Sequence, residues 1–191
     1  ALGIPGEDLP GVYGSAAFVG WYNGHPDHAG LDPLIDGAAV AVIGNGNVSL
    51  DISRLLVKTA EELAESDLWE GAVHKITEAR TPRVHLIGRR DPLHTSFTPP
   101  ELRELGRLDA AVPVIDASLL PEELPADVDE ATPAGRILKK DMEIFRSFTE
   151  IEPAEGKAEV HLDFLASPVE ILGEDRVSGL RLERNRMEDG R

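Results

Sequence analysis

The chain contains no cysteine. Within this sequence that absence excludes a disulfide scaffold, a cysteine-ligated zinc site, an iron–sulfur cluster and a redox Cys-x-x-Cys pair. Positive charge is scarce: 19 Lys and Arg stand against 35 Asp and Glu, a formal net charge of −16. So acidic a chain has no general counterion-release term to offer, which makes nucleic acid and anionic membrane surfaces poor partners. Any anionic ligand must be held by local, preorganised donors. No apolar run approaches the ~20 residues that cross a bilayer. The opening Ala1-Leu-Gly-Ile-Pro5-Gly lacks the basic start and apolar middle of a signal peptide. It also lacks an initiator Met, and the expectation is a fragment cut from a longer, cytoplasmic protein. A Tyr-x-x-x-Lys pair of the short-chain dehydrogenase kind is missing too. The only tyrosines are Tyr13 and Tyr22, followed four positions on by Ala17 and Pro26.

What is present is enough for one packed domain with a small appendage: 191 residues, 41% hydrophobic and 28% charged. Residues 1–36 are rich in Gly, Pro and Asp, with turn signals at Pro5-Gly6 and Pro10-Gly11 and an aromatic cluster of Phe18, Trp21 and Tyr22. They read as a connector, and residues 37–191 as the domain proper. Gly37 to Ile43 is a continuous apolar run, as for a strand covered on both faces. Asn47 to Val57 fits a helix with Val48, Ile52, Leu55 and Leu56 on one face. Thr59 with Glu62 forms a capping-box pattern that opens a second helical piece. Trp69 to Ala79 is a third, stopped by Thr81-Pro82. Val84 to Ile87 is another buried strand. Pro99-Pro100-Glu101 starts a helix to about Leu108. Val112 to Ile115 predicts a strand, and Ala134 to Phe148 an amphipathic helix. After Lys157 the period drops to two, and the runs around Val160, Val169 and Val177 read as two or three antiparallel strands.

Two segments carry chemistry. In Gly44-Asn45-Gly46, a buried strand turns through glycines into a helix. Such a turn brings free N–H groups and the positive end of a helix dipole against a pyrophosphate. The third small position of G-x-G-x-x-G is Ser49 here, so the fingerprint is partial. The second segment is Gly88-Arg89-Arg90, at the end of the second strand. In NAD-binding folds an acid at that place bonds the ribose 2′-hydroxyl. Two guanidiniums instead suit a 2′-phosphate through charge-assisted bonds, and so point to NADP(H). The spacing between the segments exceeds the usual ~20 residues, and the helical pieces from Thr59 to Ala79 account for it. His25-Pro-Asp-His28 lacks a third placed ligand and reads as a surface loop, with no metal assigned to the chain.

GNGNVSLD, GRRDPLHTSFTPPELRELG and IPGEDLPGVYGSAAFVGWYNGHPD together resemble the adrenodoxin reductase family, which includes bacterial ferredoxin–NADP reductases within the wider glutathione reductase type. The resemblance covers nearly all of residues 1–110 and returns faintly at Val177 to Arg186. It implies a Rossmann-like α/β NADP-binding domain: a mostly parallel sheet flanked by helices, with a small antiparallel β meander. It implies an FAD domain on both flanks, and no FAD fingerprint occurs in this chain. Residue by residue, it implies that Gly44, Asn45, Gly46, Asn47 and Val48 hold the pyrophosphate. Arg89 and Arg90 would bind the 2′-phosphate, and Glu101 would contact the adenosine end. Asp51 and Glu104, the catalytic candidates, would lie toward the nicotinamide–flavin contact. An acid one turn into a helix, as Asp51 is, also suits the dipole whatever else it does.

The function so implied is hydride delivery from NADPH to FAD, with electrons passing to a ferredoxin-like iron–sulfur protein. The isolated segment is expected to bind NADP(H) and to be inactive. The family's basic docking helix corresponds to Arg136, Lys139, Lys140 and Arg146, here diluted by Asp141 and Glu143. Alternatives are the NADPH domain of a glutamate synthase small-subunit-like oxidoreductase and a non-catalytic NADP-binding module. The absence of cysteine removes a thioredoxin reductase.

Overall fold

A computed structural model describes residues 1–187. Its centre is a four-stranded parallel sheet: β1 (Val40–Ile43), β2 (Arg83–Ile87), β3 (Ala111–Ile115) and β4 (Ala158–Asp163), in the order β1-β2-β4-β3. Helical crossovers join the strands, as parallel pairing requires. The first carries α2 (Asn47–Val57), α3 (Ala60–Leu63) and α4 (Glu70–Ala79). The second carries α5 (Pro99–Leu105) and the third α6 (Pro133–Thr149). An antiparallel hairpin follows, β5 (Ala166–Gly173) with β6 (Val177–Arg184). The α/β class and the mostly parallel sheet are those expected.

Two strand expectations need correction. The run around Val160 and Leu162 is not part of the antiparallel unit. It is β4, which inserts between β2 and β3 and pairs with both in parallel. Nor is β1 covered on both faces: it is an edge strand in which only Val42 is buried, and Ile43 is 37% exposed. Both have one cause. One face of the sheet is the better covered: Val84, Leu86, Val160 and Leu162 are buried there, while Arg83, His85, Glu159, His161 and Asp163 are partly exposed on the other face, where Ile87 and Val112 are buried. A parallel strand with one open face alternates as an antiparallel one does.

Local signals set the element ends. Thr59 Oγ1 accepts from Glu62 N–H at 3.2 Å, and Glu62 Oε2 accepts from Thr59 N–H at 2.9 Å, the reciprocal capping box. α5 stops at Leu105 rather than near Leu108. Gly106 caps it under the Phe148 ring, where an added Cβ would lie 2.7 Å from Cε1. The aromatic cluster is core. Phe18 and Trp21, on α1 (Ser15–Tyr22), are 6% and 2% exposed, with ring centroids 5.2 Å apart. The Gly/Pro segment before α1 runs along the hairpin, where Ile171 N–H donates to the Pro5 carbonyl and Val177 N–H to that of Pro10.

One buried group works against the fold at neutral pH. Asp141 on α6 is 3% exposed, and its Oδ1 has no partner among the described residues. Burial raises its pKa to about 7, with Arg103 opposing. The folded chain therefore retains a proton that the unfolded chain releases. Asp141 costs stability progressively as pH rises from about 4 through about 7. Asp141→Asn is expected to match the parent near pH 4 and exceed it near pH 8, by on the order of 1–3 kcal/mol of unfolding free energy in urea titrations.

Candidate nucleotide-binding site

β1 ends at Ile43, and the chain turns through Gly44 at φ +127°, a conformation open to glycine and strained for other residues. Gly44 N–H donates to the Ile87 carbonyl at 2.8 Å, which ties the turn to the end of β2. Gly46 is the N-cap of α2. Ser49 closes the turn where the fingerprint has a third small residue. Its Oγ accepts from Gly46 N–H at 3.1 Å and donates to the Gly44 carbonyl at 2.7 Å. A hydroxyl thus fixes the loop from within, and the N–H groups of the first helical turn remain for a ligand.

At the neighbouring strand end, Gly88 lies against the Asn45 side chain, and a Cβ there would sit 1.6 Å from Asn45 Nδ2. Only glycine fits. The Arg89-Arg90 loop is held by its backbone. Asn185 Nδ2 donates to the Arg89 carbonyl at 2.6 Å, and Leu165 N–H donates to that of Arg90 at 3.1 Å. Both arginine side chains are exposed, and neither enters an ion pair among the described residues. Between these two strand ends lies a crevice of about 420 Å³, lined among others by Gly44, Asn45, Gly46, Arg89, Arg90 and Ser96. Asn45 Oδ1 is buried there without a hydrogen-bond partner among the described residues. A glycine-lined helix start and two guanidiniums without ion-pair partners among the described residues fit a dinucleotide that carries an extra phosphate.

A scan against protein-family models matches none. Among curated proteins, NADPH-ferredoxin reductase FprA of Mycobacterium tuberculosis is 41% identical over 187 residues, covering 97% of this chain and 40% of that protein. The mitochondrial NADPH:adrenodoxin oxidoreductase of Bos taurus is 37% identical over 199 residues, covering 98% and 40%. The solved structure of Mycobacterium tuberculosis FprA in complex with NADPH matches with a TM-score of 0.91 at 39% identity, over all of this chain and 41% of that one. This chain is homologous to a segment of the ferredoxin and adrenodoxin reductases. It spans about two fifths of the length of these relatives.

Homology to that segment sets the other predicted residues in context. Asn47 opens α2, but its side chain is committed to α5: Oδ1 accepts from Thr98 N–H at 3.0 Å. Its backbone N–H, in the first turn of α2, is the group left for the predicted role. Val48 is 54% exposed on the first turn. Asp51, Glu101 and Glu104 do not line the crevice. They gather around Arg54, whose guanidinium pairs with Asp51 and Glu104 and lies 3.5 Å from the Glu101 carbonyl. Arg54 is only 11% exposed at its side chain, and its role escaped the sequence reading. The available signal was its i,i+3 spacing from Asp51 on a helix. Tyr22 lies close by: burial raises its phenol pKa and the Asp51 charge raises it further. Ser96 and His94 were also missed. Ser96 N–H donates to the Asn45 carbonyl at 2.9 Å, and His94 Nδ1 lies 2.6 Å from Asp91 Oδ1. His25 and His28 sit on an exposed turn, with ring centroids 5.8 Å apart.

The basic residues of α6 are partly spent internally. Lys139 pairs with Glu130 at 2.6 Å, and Arg146 donates to the Pro121 and Glu122 carbonyls. No helix among the described residues is long and apolar enough to cross a membrane.

Proposed function

We propose that this chain is the NADP(H)-binding domain of an FAD-dependent, ferredoxin/adrenodoxin-type NADP reductase of the cytoplasm. The observation that carries the proposal is the crevice that joins the Gly44–Gly46 helix start to two guanidiniums without ion-pair partners among the described residues. NADPH, when bound, supplies a hydride for a flavin held by the rest of the protein. This chain's residues bind and orient the nucleotide. Gly44, Asn45, Gly46, Asn47 and Val48 hold the pyrophosphate, the two glycines by shaping the turn and Asn47 and Val48 through the free N–H groups of the first helical turn, and Arg89 and Arg90 take the 2′-phosphate. Glu101 meets the adenosine end. Asp51 and Glu104, held by Arg54, face the nicotinamide–flavin contact. Residues 1–36 are the connector to the flavin domain and 37–191 the nucleotide domain, with Phe18 and Trp21 sharing the core of the latter. The electron acceptor is a ferredoxin-like iron–sulfur protein, as the names of the relatives indicate for those proteins. Those names favour this reading over a glutamate synthase-like domain.

Titration of the purified chain with NADP+ and with NAD+ in a calorimeter tests the proposal. NADP+ is expected to bind at least tenfold tighter, and NADPH with ferricyanide is expected to give no turnover unless a flavoprotein is added. Equal affinity for the two nucleotides, or turnover by the chain alone, overturns it.

A further inference from the structure

The open face of the parallel sheet carries a cluster that the crevice does not use. His85 of β2 and His161 of β4 are register partners, and their imidazoles stack at 4.8 Å with planes 26° apart. Asp163 lies two residues beyond His161, so the strand period sets it on the same face. Its Oδ2 is 2.7 Å from His85 Nδ1. Glu159, two residues before His161, places Oε2 2.8 Å from His161 Nε2, and Arg83 Nε donates to the same oxygen at 3.1 Å.

Two residues at i and i+2 on one strand, with a cross-strand neighbour, are how a sheet aims three donors at one point. One ligand atom from each of His85, His161 and Asp163 falls within 4.8 Å of the others, and no other such trio occurs among the described residues. A tetrahedral zinc ion with bonds of ~2.0–2.2 Å needs donor atoms roughly 3.3 Å apart. No pair of the trio is open by more than about 1.5 Å, and His85 Nδ1 and Asp163 Oδ2, 2.7 Å apart, must part slightly; side-chain rotations on a backbone fixed by register can do both. The side chains are accessible, at 35%, 25% and 35% exposure, so an ion can enter. Two imidazoles with a carboxylate suit zinc and disfavour magnesium and calcium, which prefer oxygen alone. Glu159 orients the His161 ring through one nitrogen and leaves the other for a metal. The strongly acidic chain attracts a cation rather than repelling it.

We propose that His85, His161 and Asp163 form a zinc(II) site, completed by water, that clips β2 to β4. The site borders the nucleotide crevice through the backbone, because the Asp163 carbonyl accepts from Gly88 N–H at 2.8 Å, immediately before Arg89. It rests on none of the residues assigned to the nucleotide, so it stands or falls separately.

The test is zinc titration of the metal-stripped chain against a chromophoric chelator, with circular dichroism to monitor the fold. One zinc per chain is expected. His85→Ala and His161→Ala should each weaken it at least ~10-fold, and Glu159→Gln should weaken it by about 10-fold. His25→Ala with His28→Ala should leave it unchanged. Where an alanine variant loses its fold, His85→Gln or His161→Gln replaces it. Cobalt(II) bound to the parent should show the intense visible bands of a four-coordinate ion. A parent that binds no zinc, His variants that bind like the parent, loss in the His25/His28 variant, or a six-coordinate cobalt spectrum overturns the proposal.

Discussion

Replacing Arg89 and Arg90 together by alanine should weaken NADPH by roughly 2–5 kcal/mol, on the order of 30- to several thousand-fold, and leave NADH nearly unchanged. The asymmetry follows from where the side chains stand. The loop is pinned through its carbonyls, by Asn185 at Arg89 and by Leu165 at Arg90, and not through the guanidiniums. Truncation beyond Cβ therefore leaves the loop in place and removes only charge and donors. In a chain with a net charge of −16, no diffuse positive field stands in for them. The 2′-phosphate is the only chemical difference the two coenzymes present to this site, so the loss falls on one of them. Because both arginines are exposed, added salt should erode the parent's preference for NADPH and have little left to erode in the variant. Calorimetry with both nucleotides at two ionic strengths reads this directly. Equal weakening of NADPH and NADH would place the 2′-phosphate elsewhere.

The crevice was legible because its signals are local. A strand that ends in glycines before a helix, and a second strand that ends in two arginines, each fit within about ten residues. The sheet order was not legible for the opposite reason. Parallel strands buried on both faces read as continuous apolar runs, whereas β4 reads Val160, His161, Leu162, Asp163. That alternation records an uncovered sheet face and says nothing of strand direction. Its place between β2 and β3 is a non-local fact with no sequence signature. The same blindness hid the His85–His161 pair, 76 positions apart in sequence and adjacent only through register. Arg54 was hidden differently. As one basic residue on an amphipathic helix it resembles any solvated side chain. Its burial against Asp51 and Glu104 depends on how α5 packs over α2. The two catalytic candidates thus came from resemblance alone, and the structure adds the cation that holds them.

Gly46→Asp should weaken both coenzymes alike without weakening the fold. The backbone at Gly46 (φ −128°, ψ 169°) is ordinary extended chain, and an added Cβ would meet nothing within 4 Å. The position therefore does not need glycine to fold. Asp is also a better N-cap than Gly by a few tenths of a kcal/mol, and its charge suits the positive end of the α2 dipole. Thermal stability should be unchanged or slightly raised. The carboxylate that achieves this takes the N–H groups, and the space, that a pyrophosphate would use, and it repels the phosphate charge. Affinity for NADP+ should fall at least ~100-fold, about 2.7 kcal/mol, and affinity for NAD+ should fall by the same factor, because the pyrophosphate is common to both. The pattern complements the Arg89/Arg90 variant: an equal loss for both coenzymes, with the parent's preference for NADP+ kept. Retained binding in Gly46→Asp would move the pyrophosphate away from the helix start. A selective loss of NADP+ alone would mean that the glycine turn and the arginine pair do not hold separate parts of one molecule.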